Sequence, residues 1–222
     1  DGALPRNLFF YFMDNPLVTR DQIFEVFWPK LTTKEATNVF HVTKRKISER
    51  ITMKIDMPGN YELTQYSAGF YKPSEKLTRY YDVEEFEEAV NQSMTAIEED
   101  DEEVLLRRAI ELYKGPFLQD GPMPWMAARR DEIRSKYAQA LIGMGRISQS
   151  RDEQMTALGY YVRALKETPE REDIHRDVMN IYIDQQMIDD ARAQYKYLTD
   201  ILDENLGIGP SPESRELFDQ IK

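Results

Sequence analysis

Leu206-Gly207-Ile208-Gly209-Pro210-Ser211-Pro212-Glu213-Ser214-Arg215-Glu216-Leu217-Phe218-Asp219-Gln220-Ile221 encodes a helix stop, a rigid turn and a new capped helix. Gly207 can enter the left-handed region that closes a helix, and Pro210 and Pro212 stiffen the exit. Ser211 suits the N-cap of the next helix, with Pro212 at its first position. The pattern reads backwards from there as helix after helix. Apolar residues at helical spacing predict helices over 83–99, 101–114, 124–150, 152–168, 171–186, 188–206 and 212–221. The run Glu98–Glu103 reads as a helix end, a loop and the acidic first turn of the next helix.

A repeat lies inside this helical stretch. Ala157 and Ala191, and Tyr161 and Tyr195, are each 34 residues apart, the tetratricopeptide period. With residue 138 as repeat position 1, Gly145 takes position 8, Ala157 position 20, Tyr161 position 24, Ala164 position 27 and Pro169 position 32. The second copy, from 172, keeps Tyr182, Ala191 and Tyr195 but has Met179 at the small-residue position. Small residues let paired helices approach, and the aromatic fills the adjoining groove.

Residues 1–80 differ in character. An apolar helix is expected over 4–13, ended by Asp14-Asn15-Pro16. Thr19 caps a second, with Ile23, Phe24, Phe27 and Trp28 on one face, stopped by Pro29. Thr32 or Thr33 caps a third, reaching about Ile51, whose buried side is Phe40, Thr43, Ile47 and Ile51. Its polar side carries Lys34, Asn38, His41, Arg45 and Ser48. Tyr61–Tyr66 and Phe70–Lys72 around Gly69 read as a β-hairpin, with Leu77–Tyr81 a candidate further strand. Three helices and a hairpin are the layout of a winged helix-turn-helix, whose third helix enters the major groove. The expected architecture is thus mainly α: a winged helix-turn-helix at 1–81 and a tetratricopeptide-like helical repeat domain at 82–222.

Charge supports that division. The net charge is −11, yet residues 1–80 hold twelve Lys/Arg against nine Asp/Glu, while residues 81–222 hold seventeen against thirty-one. Seven basic residues fall within 30–54. Phosphate attraction decays over about a Debye length, ~8 Å at physiological salt, so a local patch outweighs total charge. Lys44-Arg45-Lys46 reads either as a contact cluster or as the solvated side of a helix. Arg45 and Asn38 suit guanine and adenine edges. Lys34, Lys44, Lys46, Arg50 and, in the wing, Lys72 suit phosphates. His41 suits a base or phosphate, or idles on the helix surface.

Other chemistry finds no footing. There is no cysteine, and the two histidines, His41 and His175, stand in different domains, so zinc and other cofactors are not expected. Glu84, Glu85, Glu87 and Glu88 read as an exposed acidic helix face. Gly207-Ile208-Gly209 ends a helix and follows no strand, so it is no dinucleotide loop. Tyr113, Phe117, Trp125 and Tyr137 are expected to pack between helices rather than line a ligand groove. The longest apolar run, Leu8–Met13, is far short of a membrane span, and no basic-then-apolar leader opens the sequence; a cytoplasmic non-enzyme is the expectation.

The tail, together with Tyr81-Asp82-Val83-Glu84-Glu85-Phe86-Glu87 and Leu112-Tyr113-Lys114-Gly115-Pro116-Phe117-Leu118 followed by Trp125, resembles the bacterial transcriptional activator domain. Asn38–Ile51 is similar in pattern to the recognition helix of the antibiotic-regulatory type of activator, which joins a response-regulator-type winged helix to that domain. The resemblance implies a DNA-binding transcription regulator, an activator by kinship. It implies double-stranded DNA as ligand, and RNA polymerase, a sensory domain or a second copy of the chain as partner. In two respects the sequence departs from the family. It begins almost at the first helix, without the family's N-terminal sheet, and Ser48 and Glu49 fall where basic residues are usual. A protein-interaction scaffold with a degenerate winged helix is the competing expectation, and small-molecule sensing between the two domains a third.

Overall fold

The computed structural model describes residues 2–55 and 58–222. It divides into two compact units, Asp1–Glu84 and Glu85–Lys222. The described residues form ten helices and one three-stranded antiparallel sheet.

The first unit holds α1 (Ala3–Asp14), β1 (Val18–Thr19), α2 (Arg20–Phe27), α3 (Thr33–Lys54), β2 (Thr64–Ser67) and β3 (Phe70–Pro73). Two short capping boxes fix where its helices start. Thr19 accepts the Gln22 amide while the Gln22 side chain accepts the Thr19 amide, and Thr32 and Glu35 repeat the exchange for α3. Phe40 of α3 is fully buried. Its ring meets Phe12, Phe24, Trp28 and Tyr71 at centroid separations of 6.4, 5.7, 6.2 and 5.1 Å, mostly edge to face. Each such pair adds about 0.5–1.5 kcal/mol beyond the area it buries. One side chain therefore ties α1, α2, α3 and the sheet together.

The hairpin turns through Ala68 and Gly69, both at positive φ (51° and 90°), with Ser67 opposite Phe70. Two left-handed residues in a row match the twist of the flanking strands. The third strand is not where the sequence suggested. Val18 and Thr19 pair with Tyr71 and Phe70, giving the order β1-β3-β2, and Leu77–Tyr81 forms no strand. The latter segment is held by side chains instead: Arg79 donates to the Met13 carbonyl at 3.4 Å, and the Tyr81 hydroxyl to Asp14 at 2.9 Å.

The second unit is helical throughout: α4 (Asp82–Ser93), α5 (Glu99–Leu112), α6 (Pro124–Ser150), α7 (Gln154–Glu167), α8 (Glu172–Asp184), α9 (Ile188–Leu206) and α10 (Pro212–Asp219). α4 stops six residues short of its expected end, where Ser93 turns its hydroxyl back onto the Val90 carbonyl at 2.8 Å. Glu98 then becomes the N-cap residue of α5 and Glu99–Glu102 its acidic first turn. Arg151 joins that turn to the α6–α7 corner, contacting Glu99 at 3.0 Å, Asp100 at 3.1 Å and Glu103 at 2.7 Å.

Helices pack in successive antiparallel pairs. α6 approaches α7 through Gly145, where an added Cβ would lie 2.4 Å from the ring of the fully buried Tyr161. Ala157 and Ala164 are equally buried on the same face of α7. In the following pair Met179 and Ala191 are fully buried, and Tyr195 stacks on Phe218 of α10 at 4.1 Å. Gly207 closes α9 at φ 65°, with its amide bonded to Asp203 and that of Ile208 to Leu202. Ser211 caps α10, and Ser211 and Ser214 both hydrogen-bond the Glu172 carboxylate of α8, fixing the last helix to the stack.

Between α5 and α6, Arg130 donates to the carbonyls of Leu118, Phe117 and Gly121 at 2.7, 3.3 and 3.4 Å, which staples the Gly115-Pro116-Phe117-Leu118 turnaround. Tyr113 stacks on Tyr137 at 3.9 Å, and Phe117 meets Trp125 at 6.0 Å. These aromatics pack helix against helix. Glu87, expected on an exposed face, is half-buried instead. Its carboxylate accepts from Arg129 at 2.6 and 2.8 Å and from Lys136. Burial works to raise its pKa, but the two cationic donors outweigh it and hold it below the usual carboxylate range.

Candidate nucleic-acid interface

α3 turns about 100° per residue, so three consecutive cations cannot share one direction. Arg45 is the most central of them. With Asn38, Val42 and Glu49 it forms a stripe at i, i+4, i+7 and i+11 that faces away from the Phe40 side. Arg45 and Glu49 are 73% and 59% exposed and pair within the helix at 3.4 Å. His41 and Lys34 stand exposed beside Asn38.

Lys44 turns to one flank. Its side chain is only 19% exposed, with Nζ 3.3 Å from the Glu62 carboxylate and 5.0 Å from the Tyr71 ring centroid. Attraction to the ring quadrupole and to the carboxylate pulls in the same direction. Ser48, one turn on, is buried rather than displayed, correcting the expectation from spacing. Its hydroxyl lies 2.8 Å from the Tyr61 carbonyl and 3.0 Å from Asn60 Oδ1. The segment returning toward β2 covers that side of the helix.

Lys46 and Arg50 leave on the opposite flank, both exposed. Lys46, like Lys34, makes no ion pair among the described residues. Lys72 sits on β3, 40% exposed and 3.6 Å from Glu75, which also accepts from Gln65 at 3.0 Å. The structure thus keeps Asn38, His41 and Arg45 on one exposed side, with Lys34 at its start and Lys46 and Arg50 along one edge. Lys44 and Lys72 are engaged with carboxylates.

Three exposed apolar side chains escaped the sequence reading. Val42 is 47% exposed on the central stripe, and the hairpin carries Tyr66 at 62% and Phe70 at 38%. Val42 was detectable in principle, since it follows Asn38 by four residues. The hairpin aromatics were not, because strand alternation does not say which side the helices cover.

No group of three or more His, Cys, Asp or Glu with metal-binding geometry occurs among the described residues. His175, the second histidine, is fully buried in the other unit. Its Nε2 lies 2.9 Å from the Pro169 carbonyl and Nδ1 2.6 Å from the Gln194 amide nitrogen. Burial lowers its pKa, so the ring is a neutral donor–acceptor link between α8 and α9. No helix among the described residues is long and apolar enough to cross a membrane.

Residues 81–222 match the family described as the bacterial transcriptional activator domain. No curated protein matches the sequence. Among solved structures, the fold is similar to that of Mycobacterium tuberculosis EmbR in complex with a low affinity phosphopeptide, with a TM-score of 0.72 at 17% identity. That likeness covers 100% of this chain and 59% of the EmbR chain, so the chain spans less than two thirds of the length of that relative.

Proposed function

The chain belongs to the bacterial transcriptional activator domain family, and from that premise we propose that it is a DNA-binding transcription regulator. Residues 1–81 act as a winged helix-turn-helix and residues 82–222 as a tetratricopeptide-like repeat domain. α3 enters the major groove of double-stranded DNA, and the β2–β3 hairpin flanks it as the wing. Asn38 and Arg45 address base edges, while Lys34, Lys46 and Arg50 address phosphates. His41 stands within reach of either. Lys44 and Lys72 serve mainly to fix the wing, through Glu62 and Glu75. The repeats then hold a protein partner beside the DNA: RNA polymerase, a regulatory domain or a second copy of the chain. The EmbR structure was determined with a phosphopeptide, which makes a phosphorylated regulatory partner a reasonable member of that set. The mechanism is binding and recruitment, with no covalent chemistry.

The observation carrying this reading is the exposed side of α3, which carries Asn38, His41 and Arg45 and stands clear of the core centred on Phe40. Fluorescence anisotropy with mixed-sequence duplex DNA tests it. Binding should weaken with salt, and Lys34→Ala and Lys46→Ala should each flatten the log–log slope by about 0.9 for every phosphate the side chain had neutralised. Lys44→Ala should change it less. Binding that ignores salt, or slopes unmoved by Lys34→Ala and Lys46→Ala, rejects the reading.

A second reading, a protein-docking scaffold, draws on Glu49. Its carboxylate lies on the central stripe and neutralises Arg45. If Glu49→Gln raises DNA affinity and sharpens the salt dependence, the stripe is a DNA face tempered by its own acid. If DNA binding is absent with either residue, the scaffold reading stands.

A further inference from the structure

The exposed side of α3 is polar with one exception. Among its exposed residues from Thr33 to Arg50, Val42 alone is apolar, with 47% of it open to solvent. It stands one turn from both Asn38 and Arg45, the two side chains suited to base edges. Burial does not call for a valine there, and neither does helix formation, since β-branching slightly lowers helix propensity. What the branch supplies is stiffness. A helical valine holds one χ1 rotamer about 90% of the time, so its two methyls stand ready with little freedom left to lose on contact.

The spacing suits the major groove. Along the helix axis Val42 lies about 6 Å beyond Asn38 and about 4.5 Å before Arg45. Base pairs recur every ~3.4 Å, so the three side chains span about three base-pair steps. Only thymine carries a methyl group on its major-groove edge, and apolar side chains are its usual partners there. We propose that Val42 selects a thymine through its 5-methyl group, between an adenine taken by Asn38 and a guanine taken by Arg45. Cytosine in the same place would present its amine donor to an apolar side chain and lose water without gaining a partner. The assignment rests on the DNA-binding reading above and adds to it the composition of the site: A, T and G within about four consecutive base pairs.

The full chain is used to select duplexes from a random-sequence library, and the enriched duplex is resynthesised with deoxyuridine replacing one thymine at a time. Uracil pairs as thymine does and lacks only the methyl, so each exchange removes one group from the groove. Fluorescence anisotropy should show, in each bound site, one thymine whose exchange weakens the parent about fourfold, the worth of one methyl taken out of water. In Val42→Ala the thymine and uracil duplexes should bind equally, with the salt slope of the parent, because no phosphate contact is lost. Val42→Thr, which keeps one methyl on the β-carbon, should retain part of the discrimination. Far-UV circular dichroism checks that both variants are folded. Salt-sensitive binding that enriches no sequence, or that no single uracil weakens, overturns the proposal and leaves the DNA-binding reading standing. Uracil discrimination that survives in Val42→Ala overturns it in the same way. Absence of salt-sensitive binding removes both.

Discussion

Gly145→Ala probes the closest helix approach in the second unit. A Cβ there would stand 2.4, 2.7 and 2.9 Å from Cε1, Cδ1 and Cζ of Tyr161. Comfortable carbon contacts are about 3.5–4.0 Å, so the ring or the helix must move by roughly 1 Å. The ring has little freedom, being fully buried with its hydroxyl donating to Gln149 Oε1 at 3.0 Å. Overpacking of this kind costs about 1–3 kcal/mol. Alanine also favours a helix over glycine by about 1 kcal/mol, which partly offsets the clash. Gly159→Ala provides the control, because Gly159 is an exposed α7 residue whose added Cβ would meet nothing within 4 Å. It should stabilise by about 1 kcal/mol from the same propensity change. The difference between the variants isolates packing and should be about 1–3 kcal/mol. Urea unfolding followed by circular dichroism measures both, and native-state hydrogen exchange on α6 and α7 shows that the loss is local. Should Gly145→Ala prove as stable as Gly159→Ala, the two helices do not meet through this glycine and the packing argument fails.

Further expectations follow from single side chains. His175, held neutral by burial, has a folded pKa below its ordinary 6.5. The unfolded chain therefore binds the proton more readily, and stability present above pH 6.5 should decline as pH falls below it; ring resonances that titrate at or above 6.5 would refute this. Glu87→Gln leaves Arg129 and Lys136 with only the more exposed Glu132 as a shared carboxylate and should cost about 1–2 kcal/mol, less than a fully buried pair because water and Glu132 both compensate. Urea midpoints decide, and a neutral substitution would show that the pairing contributes nothing net. Ser211→Ala removes the hydroxyl that caps α10 but keeps the backbone amide on Glu172, so it should cost about 1 kcal/mol, visible as faster amide exchange over 213–219.

Local rules made much of the fold legible. α6 begins at Pro124 and ends at Ser150, and α9 spans Ile188–Leu206, as the apolar spacing and the Gly207 stop require. The 34-residue spacing of Ala157/Ala191 and Tyr161/Tyr195 pointed to the Gly145–Tyr161 approach, because a small residue and an aromatic at those offsets have a joint packing purpose. What failed was non-local. β1 is two residues long and exists only because Tyr71 and Phe70 lie alongside, so no sequence period announces it. Ser48 and Lys44 share the spacing of surface residues, yet the segment returning toward β2 covers one and recruits the other. Glu87 looked like one more surface acid until Arg129 and Lys136, forty and more residues away, were brought to it. On the candidate interface, helical periodicity placed Asn38, His41 and Arg45 correctly in the open but could not say which neighbouring cations were already engaged.

The Lys44 contact has a consequence for ionic strength. Lys44 ties α3 to the Glu62 carboxylate and the Tyr71 ring, so on the proposed DNA-binding reading the counterions that compete for phosphates also loosen that tie. A salt titration of DNA affinity would then register a mechanical softening of the protein on top of ion release from the duplex. Lys44→Met, which keeps the aliphatic stem but carries no charge, would leave only the second contribution.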